Sequence, residues 1–320
     1  MVIPRKLAAM QQRYVGNSGL RVSALSLGTM SWAGETDDQD ASELLQKFVD
    51  AGGRHIDTAA SYAGGRSEGI LGSLLGDVVS RTEVSISTKA GISTPDGRRT
   101  VDTSRNAMLS GLDASLARLG TDYVDIWFAQ AWDANVPLDE TLSALEFALR
   151  SGRARYAGVA NFNAWQTAKA AAIAGFPLVA AQAEYSLLQR KPEGELIPAV
   201  EDAGLGLLAW APLGRGALTG KYRGSIPGDS RAANPSLAAY VEPYLGERSS
   251  RVVEAVSMAA KGLGRTPLDV SLSWLLSQHG VASAIIGPRT PVQLKEILDA
   301  QLAPLPPEIS LALEDVSEPA

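Results

Sequence analysis

An aspartate, a tyrosine and a lysine stand at related places in the first third of the chain. Asp57 ends the short run Arg54-His55-Ile56, and Tyr62 follows in the loop Asp-Thr-Ala-Ala-Ser-Tyr-Ala-Gly-Gly. Lys89 ends a second run, Val84-Ser85-Ile86-Ser87-Thr88, just before Gly91. Both runs read as buried strands, so all three groups fall at or just after C-terminal strand ends. That edge is where a parallel barrel collects its reactive groups. A phenol is a weak acid, with a pKa of about 10. An ammonium within a few ångströms stabilises the phenolate and lowers that value, and a carboxylate beside the ammonium keeps it charged and aimed. Asp57, Tyr62 and Lys89 can thus form a proton donor for a developing alkoxide. Singly they have plainer readings: a turn cap, a packed loop ring and a surface cation.

Such a trio needs a scaffold that brings several strand ends to one rim. A β-hairpin is read from Tyr14-Val15 and Leu20-Arg21-Val22 around Asn17-Ser18-Gly19. Strands are then predicted over 24–27, 54–56, 83–88, 123–128, 155–159, 178–183, 205–210 and 282–286. Helices are predicted over 40–51, 67–75, 102–119, 138–151, 164–174, 193–203, 249–263, 267–278 and, as the last, 291–298. Leu44, Leu45, Phe48 and Val49 share one helical face and Gly52 stops that helix. Asp102 or Thr103 is the expected N-cap of the helix that ends at Gly120. This alternation predicts an α/β fold, a (β/α)8 TIM barrel with an N-terminal β-hairpin and a long Gly- and Pro-rich loop, 211–247, after strand seven. That loop is too long for a passive connection and is expected to shape a site. Residues 1–10 read as a loosely ordered extension and 11–320 as a single barrel domain.

Composition narrows the chemistry. The 320 residues carry a net charge of −6, which points away from nucleic acid and anionic membrane surfaces. There is no cysteine, which excludes thiolate and disulfide chemistry, and two histidines, His55 and His279, are too few for a His-rich metal site. No 18-residue apolar run and no secretory leader are read, so a cytoplasmic location is expected.

Two further stretches suit phosphate. Residues 210–221 (Trp-Ala-Pro-Leu-Gly-Arg-Gly-Ala-Leu-Thr-Gly-Lys) leave strand seven with three glycines and Lys221. They are not a P-loop, because Arg215 and Tyr222 occupy key positions. Ile286-Gly287-Pro288-Arg289-Thr290-Pro291 leaves strand eight and enters a helix, with Thr290 as N-cap, Pro291 at the first helical position and Arg289 beside them. Barrels often hold phosphate after strands seven and eight. A flexible loop and a simple cap are the plainer readings. Gly204-Leu205-Gly206-Leu207-Leu208-Ala209 fits a dinucleotide-binding glycine pattern but precedes its strand, and is rejected. No Tyr-x-x-x-Lys occurs. A carboxylate pair of Glu184 and Asp57 for glycoside hydrolysis would leave both phosphate-type loops unexplained.

Taken in order, these markers resemble the aldo-keto reductase superfamily. They are the 17–23 hairpin, Asp57-Thr58-Ala59 with Tyr62, Thr88-Lys89, Gly158-Val159-Ala160-Asn161-Phe162, Gln182 with Tyr185, the 210–221 stretch, Ser230-Arg231, and the run 287–296. The match covers roughly residues 14–298. The resemblance implies a (β/α)8 barrel that binds NADPH in an extended form and reduces aldehydes and ketones, so the expected partner is a small carbonyl substrate. It implies Tyr62 as general acid with Lys89 and Asp57 tuning it. Asn161 and Gln182 would hold the nicotinamide carboxamide, and Trp210 would stack on its ring. Gly28, Thr29 and Met30 would line the cofactor. Ala211, Pro212, Leu213, Gly214, Gly216, Lys221 and Arg231 would line the pyrophosphate. Arg289 would meet the adenosine 2′-phosphate, with Gly287, Gln293 and Glu296 near the adenine end. Trp32 and Trp132, on the loops after strands one and four, are read as shaping the substrate pocket, and a packed loop anchor is the plainer reading of each.

Two positions depart from the family pattern. Gln130 stands where the family has a catalytic His after strand four; an amide can donate a hydrogen bond to a carbonyl but cannot relay a proton. The β subunits of potassium channels, a branch of the superfamily, also carry an amide there. Ile297 stands where an Asn commonly meets the adenine. The Gln130 departure motivates a rival reading, a nicotinamide-binding regulatory or redox-sensing subunit with residual turnover.

Overall fold

The structure is a computed structural model and describes residues 10–94, 97–228, 230–235 and 237–319. Apart from Met10, the extension expected at 1–10 lies outside the described residues. A hairpin of β1 (Gln12–Tyr14) and β2 (Arg21–Ser23) comes first. Eight parallel strands then close into a barrel: β3 (Leu25–Gly28), β4 (His55–Asp57), β5 (Ser85–Ala90), β8 (Val124–Ala129), β9 (Ala154–Ala160), β10 (Leu178–Glu184), β11 (Gly206–Trp210) and β12 (Val281–Ile286). The expected (β/α)8 architecture and its N-terminal hairpin are both present. A two-strand ribbon that the sequence reading missed, β6 (Ile92–Ser93) with β7 (Thr100–Val101), decorates the loop after β5.

Helices α1 (Asp38–Asp50), α2 (Arg66–Leu74), α3 (Arg105–Leu119), α4 (Leu138–Arg150), α5 (Ala164–Ile173) and α6 (Leu196–Asp202) follow successive strands. After β11 come α7 (Ala238–Val241), α8 (Glu247–Leu263) and α9 (Pro267–Ser277). α10 (Pro291–Leu298) is capped by Thr290, whose side chain accepts from Gln293 N, as its sequence predicted. It is not the last helix: α11 (Pro307–Val316) packs beyond it against α8. The expected cap of α3 also shifts, because Asp102 accepts from Ser104 N and Thr103 is buried under Thr141, leaving Ser104 to cap Ala107 N. No helix among the described residues is long and apolar enough to cross a membrane.

Strand alternation divides the apolar residues between two cores. In β8, Ile126 and Phe128 point into the barrel while Trp127 and Ala129 pack outward under the helices. In β11, Leu208 points in while Leu207 and Ala209 point out. Val15, Leu20 and Val22 of the N-terminal hairpin join the inner group and fill the lower end of the barrel.

Candidate active site

The same alternation places a polar column among those inward side chains. The register sets His55 beside Ser85 and Asp57 beside Ser87, and Lys89 is two residues further up β5. Lys89 Nζ donates to Asp57 Oδ2 at 2.7 Å and to the Thr58 carbonyl at 2.8 Å, and reaches Tyr62 OH at 3.5 Å. The other oxygen of Asp57 accepts from Ser87 Oγ at 2.6 Å and from Gln182 Nε2 at 2.9 Å. Both charged side chains are only 2% exposed. Such a pair holds inside a protein when its remaining valences are filled, and here they are.

The electrostatics depart from expectation in one direction. Burial pushes the Tyr62 phenol above its ordinary value and Lys89 only moderates the rise, so the net effect is not the lowering anticipated from the ammonium alone. Moving a phenolate out of water costs more than a cation 3.5 Å away returns. Burial would likewise depress Lys89, but Asp57 and Tyr62 outweigh it and hold the ammonium above its usual value. The pair therefore rests as a charged lysine beside a protonated phenol.

His55 sits beneath, with Nδ1 2.9 Å from Ser85 Oγ and Nε2 3.2 Å from Ser87 Oγ. Ser87 gives its proton to Asp57, so the neutral imidazole donates from Nε2. Burial lowers its pKa from 6.5 to about 4, against the opposing pull of Asp57. Between those values the unfolded chain takes a proton that the folded one refuses, so stability falls as pH drops through that window. The gap is worth about 3 kcal/mol. Melting temperatures of wild type and His55→Gln, followed from pH 7 to 4.5, should converge toward the acid end. Parallel curves would show that this imidazole is not held neutral.

Around Tyr62 the sequence-derived residues converge. Gln130 faces Ser61 Oγ, at 2.9 Å from Nε2 and 3.2 Å from Oε1. Asn161, held at φ 59°, donates from Nδ2 to the Gln130 carbonyl at 2.9 Å and accepts from Trp210 Nε1 at 3.1 Å. A left-handed asparagine is affordable only where its surroundings fix it, and these two bonds do so.

From there a cleft of about 850 Å³ runs across the barrel mouth. Gly28, Met30, Asp57, Tyr62, Lys89, Gln130, Asn161, Gln182 and Trp210 line one end. Ala211, Pro212, Leu213, Gly216, Lys221, Arg231, Gly287, Arg289, Gln293, Glu296 and Ile297 line the rest. Gly216 has a φ of +97°, and a Cβ there would come within 2.9 Å of Lys221 Cε and Nζ, so glycine is what lets Lys221 lie across the turn. Arg231 and Arg289 both donate to one carboxylate, Glu35, at 3.0 Å each.

Four expected residues do not line the cleft. Trp32 is fully buried in the outer core and presents no surface to a substrate. Trp132 lies edge-on to Phe162 and Trp165, outside the cleft. Thr29 is fully buried and its hydroxyl meets Ser67 Oγ at 2.7 Å. Gly214 is buried behind the wall, where a Cβ would meet Leu188. Conversely, Tyr240 lines the cleft and was not expected there, while Arg215 lines it from within the 212–216 stretch that the resemblance gives to the pyrophosphate. Arg215 is clamped by Glu184 at 2.9 and 2.6 Å and stacks 3.9 Å from the Tyr240 ring. Because Glu184 is tied to Arg215 and Asp57 to Lys89, neither carboxyl is free to act as half of a glycosidase pair. Tyr240 stands in a stretch without periodicity, so only its aromatic type hinted at a role.

Comparisons with known proteins agree with this geometry. A model of the aldo/keto reductase family matches residues 24–318. The uncharacterized oxidoreductase YrpG of Bacillus subtilis (strain 168) is 35% identical over 320 residues, covering 96% of each chain. The L-glyceraldehyde 3-phosphate reductase of Escherichia coli (strain K12) is 35% identical over 308 residues, covering 93% of this chain and 89% of that one. A probable voltage-gated potassium channel subunit beta of Oryza sativa subsp. japonica is 36% identical over 302 residues, covering 91% of each.

Proposed function

The chain belongs to the aldo/keto reductase family, and from that premise we propose that it reduces aldehydes or ketones to alcohols with NADPH in the cytoplasm. The observation that carries this reading is the buried Asp57–Lys89–Tyr62 string at one end of a cleft whose other end holds Arg231 and Arg289. The cleft suits a dinucleotide phosphate on its own terms. A glycine turn with Lys221 laid over it, a capped helix N-terminus and two arginines follow one another along the wall. When bound, the nicotinamide supplies a hydride to the carbonyl carbon.

The protein's own residues do the rest. Tyr62 gives its proton to the carbonyl oxygen as charge builds there, and Lys89 stabilises the phenolate left behind. Asp57 keeps Lys89 charged and aimed. Gln182 steadies Asp57 and keeps its Oε1 for the carboxamide, while Asn161 and Trp210 hold one another beside the ring site. Gln130 offers a neutral N–H toward the oxygen, a weaker donor than an imidazolium.

Gln130 and the potassium channel relatives also favour a second reading, a nicotinamide-binding regulatory or redox-sensing subunit. A steady-state assay with NADPH and a panel of aldehydes, ketones and quinones separates the two: turnover supports the reductase, and tight cofactor binding without turnover supports the subunit. In the same assay Gln130→Ala should lower kcat/KM about tenfold, the worth of one neutral hydrogen bond at the reacting oxygen. Equal rates on every carbonyl would remove Gln130 from the chemistry.

A further inference from the structure

Glu35 is placed with unusual firmness for a loop carboxylate. It sits in a turn where the Ser31 carbonyl accepts from the backbone N–H groups of Gly34, Glu35 and Thr36. Trp32 and Thr36 are fully buried on either side and anchor it. Thr36 Oγ1 also donates to the Arg289 carbonyl at 3.0 Å, which fixes the turn against the segment that enters α10. From this mount Glu35 Oε2 accepts from Arg231 Nε and Oε1 from an Arg289 terminal nitrogen, each at 3.0 Å. The carboxylate is 14% exposed and each arginine 15%. One anion thus ties together the loop after β3, the loop after β11 and the loop after β12.

That anion stands at the two cations which the functional reading gives to the cofactor's phosphates. Arg289 would read the adenosine 2′-phosphate, the group that separates NADPH from NADH. A phosphate brought to Arg289 meets a guanidinium already paired with a fixed carboxylate. In a partly buried setting charges at such separations are poorly screened. The penalty falls on the 2′-phosphate and spares a 2′-hydroxyl, so it acts on the choice between the two cofactors and not on binding in general. A salt bridge that only latched the loops would act on both alike.

The geometry points to Glu35 as a specificity-determining residue, a built-in carboxylate that competes with the 2′-phosphate for Arg289 and restrains the preference for NADPH over NADH. This rests on reading the cleft as a nicotinamide-dinucleotide site. It gives the charged residue of an otherwise unremarked turn a role that no part of the proton-transfer machinery requires.

The test is a pair of binding titrations, followed by the quenching of tryptophan fluorescence, with NADPH and NADH on wild type, Glu35→Gln, Glu35→Asp and Arg289→Ala. Glu35→Gln keeps the size and one acceptor while removing the charge. It should tighten NADPH about tenfold and leave NADH within about twofold, a change equal to about 1.4 kcal/mol. Glu35→Asp, which keeps the charge, should stay near the wild-type ratio. In Arg289→Ala the further change Glu35→Gln should no longer favour NADPH, because the competition has lost its object. Calorimetry with adenosine 2′-monophosphate, which carries no nicotinamide, should show the same tightening in Glu35→Gln. If Glu35→Gln weakens both cofactors equally, or leaves both unchanged, while wild type binds them, Glu35 is a latch or a bystander and the inference falls with the functional reading intact. If wild type binds neither dinucleotide, the reading and the inference fall together.

Discussion

Tyr62→Phe should abolish carbonyl reduction, with kcat down by about 10²–10⁴-fold, while NADPH still binds with nearly wild-type affinity. The substitution removes one hydroxyl and keeps the ring. Lys89 keeps its bonds to Asp57 and the Thr58 carbonyl, so the buried pair stays satisfied and the fold is undisturbed. What disappears is the proton for the oxygen. The direction of the Tyr62 shift adds a second expectation. An acid must be protonated to act, and burial holds this phenol above 10.0. The reduction rate, measured at saturating cofactor and corrected for stability, should therefore show no loss from Tyr62 ionisation until the pH exceeds about 10. Turnover of Tyr62→Phe within about tenfold of wild type would move the acid role elsewhere.

Lys89→Met is the more damaging change, because it acts on fold and chemistry together. Asp57 would remain charged at 2% exposure with its cation gone. Breaking a buried pair from one side typically costs about 3–5 kcal/mol. Thermal melting should report that loss, and kcat should fall at least as far as in Tyr62→Phe, since nothing would then stabilise the phenolate. The double variant Lys89→Met with Asp57→Asn separates the two effects. It should recover much of the stability, because no uncompensated charge is left, and none of the activity. Recovery of both together would mean that Lys89 serves packing alone.

The barrel and the Asp57–Lys89–Tyr62 cluster were legible in the sequence because both are written in local pattern. Short β-rich runs alternate with helical periodicity, and Asp57 and Lys89 mark the ends of two of those runs. Thr290 and Pro291 announce their helix start by chemistry that needs no tertiary partner. What escaped is whatever depends on which way a loop side chain turns. Trp32 and Met30 are two residues apart in one loop, yet Trp32 is sealed in the core while Met30 faces the cleft at 42% exposure. Tyr240 reaches the cleft from a stretch whose course is set by the Glu184–Arg215–Tyr244 contacts, none of them local. Glu35 is one acidic residue among several near the start of α1, and its importance lies wholly in two arginines about 200 and 250 positions later. The direction of the Tyr62 shift was hidden for a related reason: burial is a property of the assembled barrel, and no motif states it.

The N-terminal hairpin has a consequence for traffic. Val15, Leu20 and Val22 meet Ile126, Phe128, Leu208 and Ile285 inside the barrel. A Cβ at Gly16 would come to 2.3 Å of the Gly204 carbonyl oxygen, so the hairpin tip is seated against the start of β11 with no room to spare. The barrel is thereby a stoppered vessel and not a tube. Under the proposed function, reactant, spent cofactor and the proton that recharges Tyr62 would all share the cleft at the barrel mouth. Loading and unloading must take turns there, and whatever lies deepest is the last to leave.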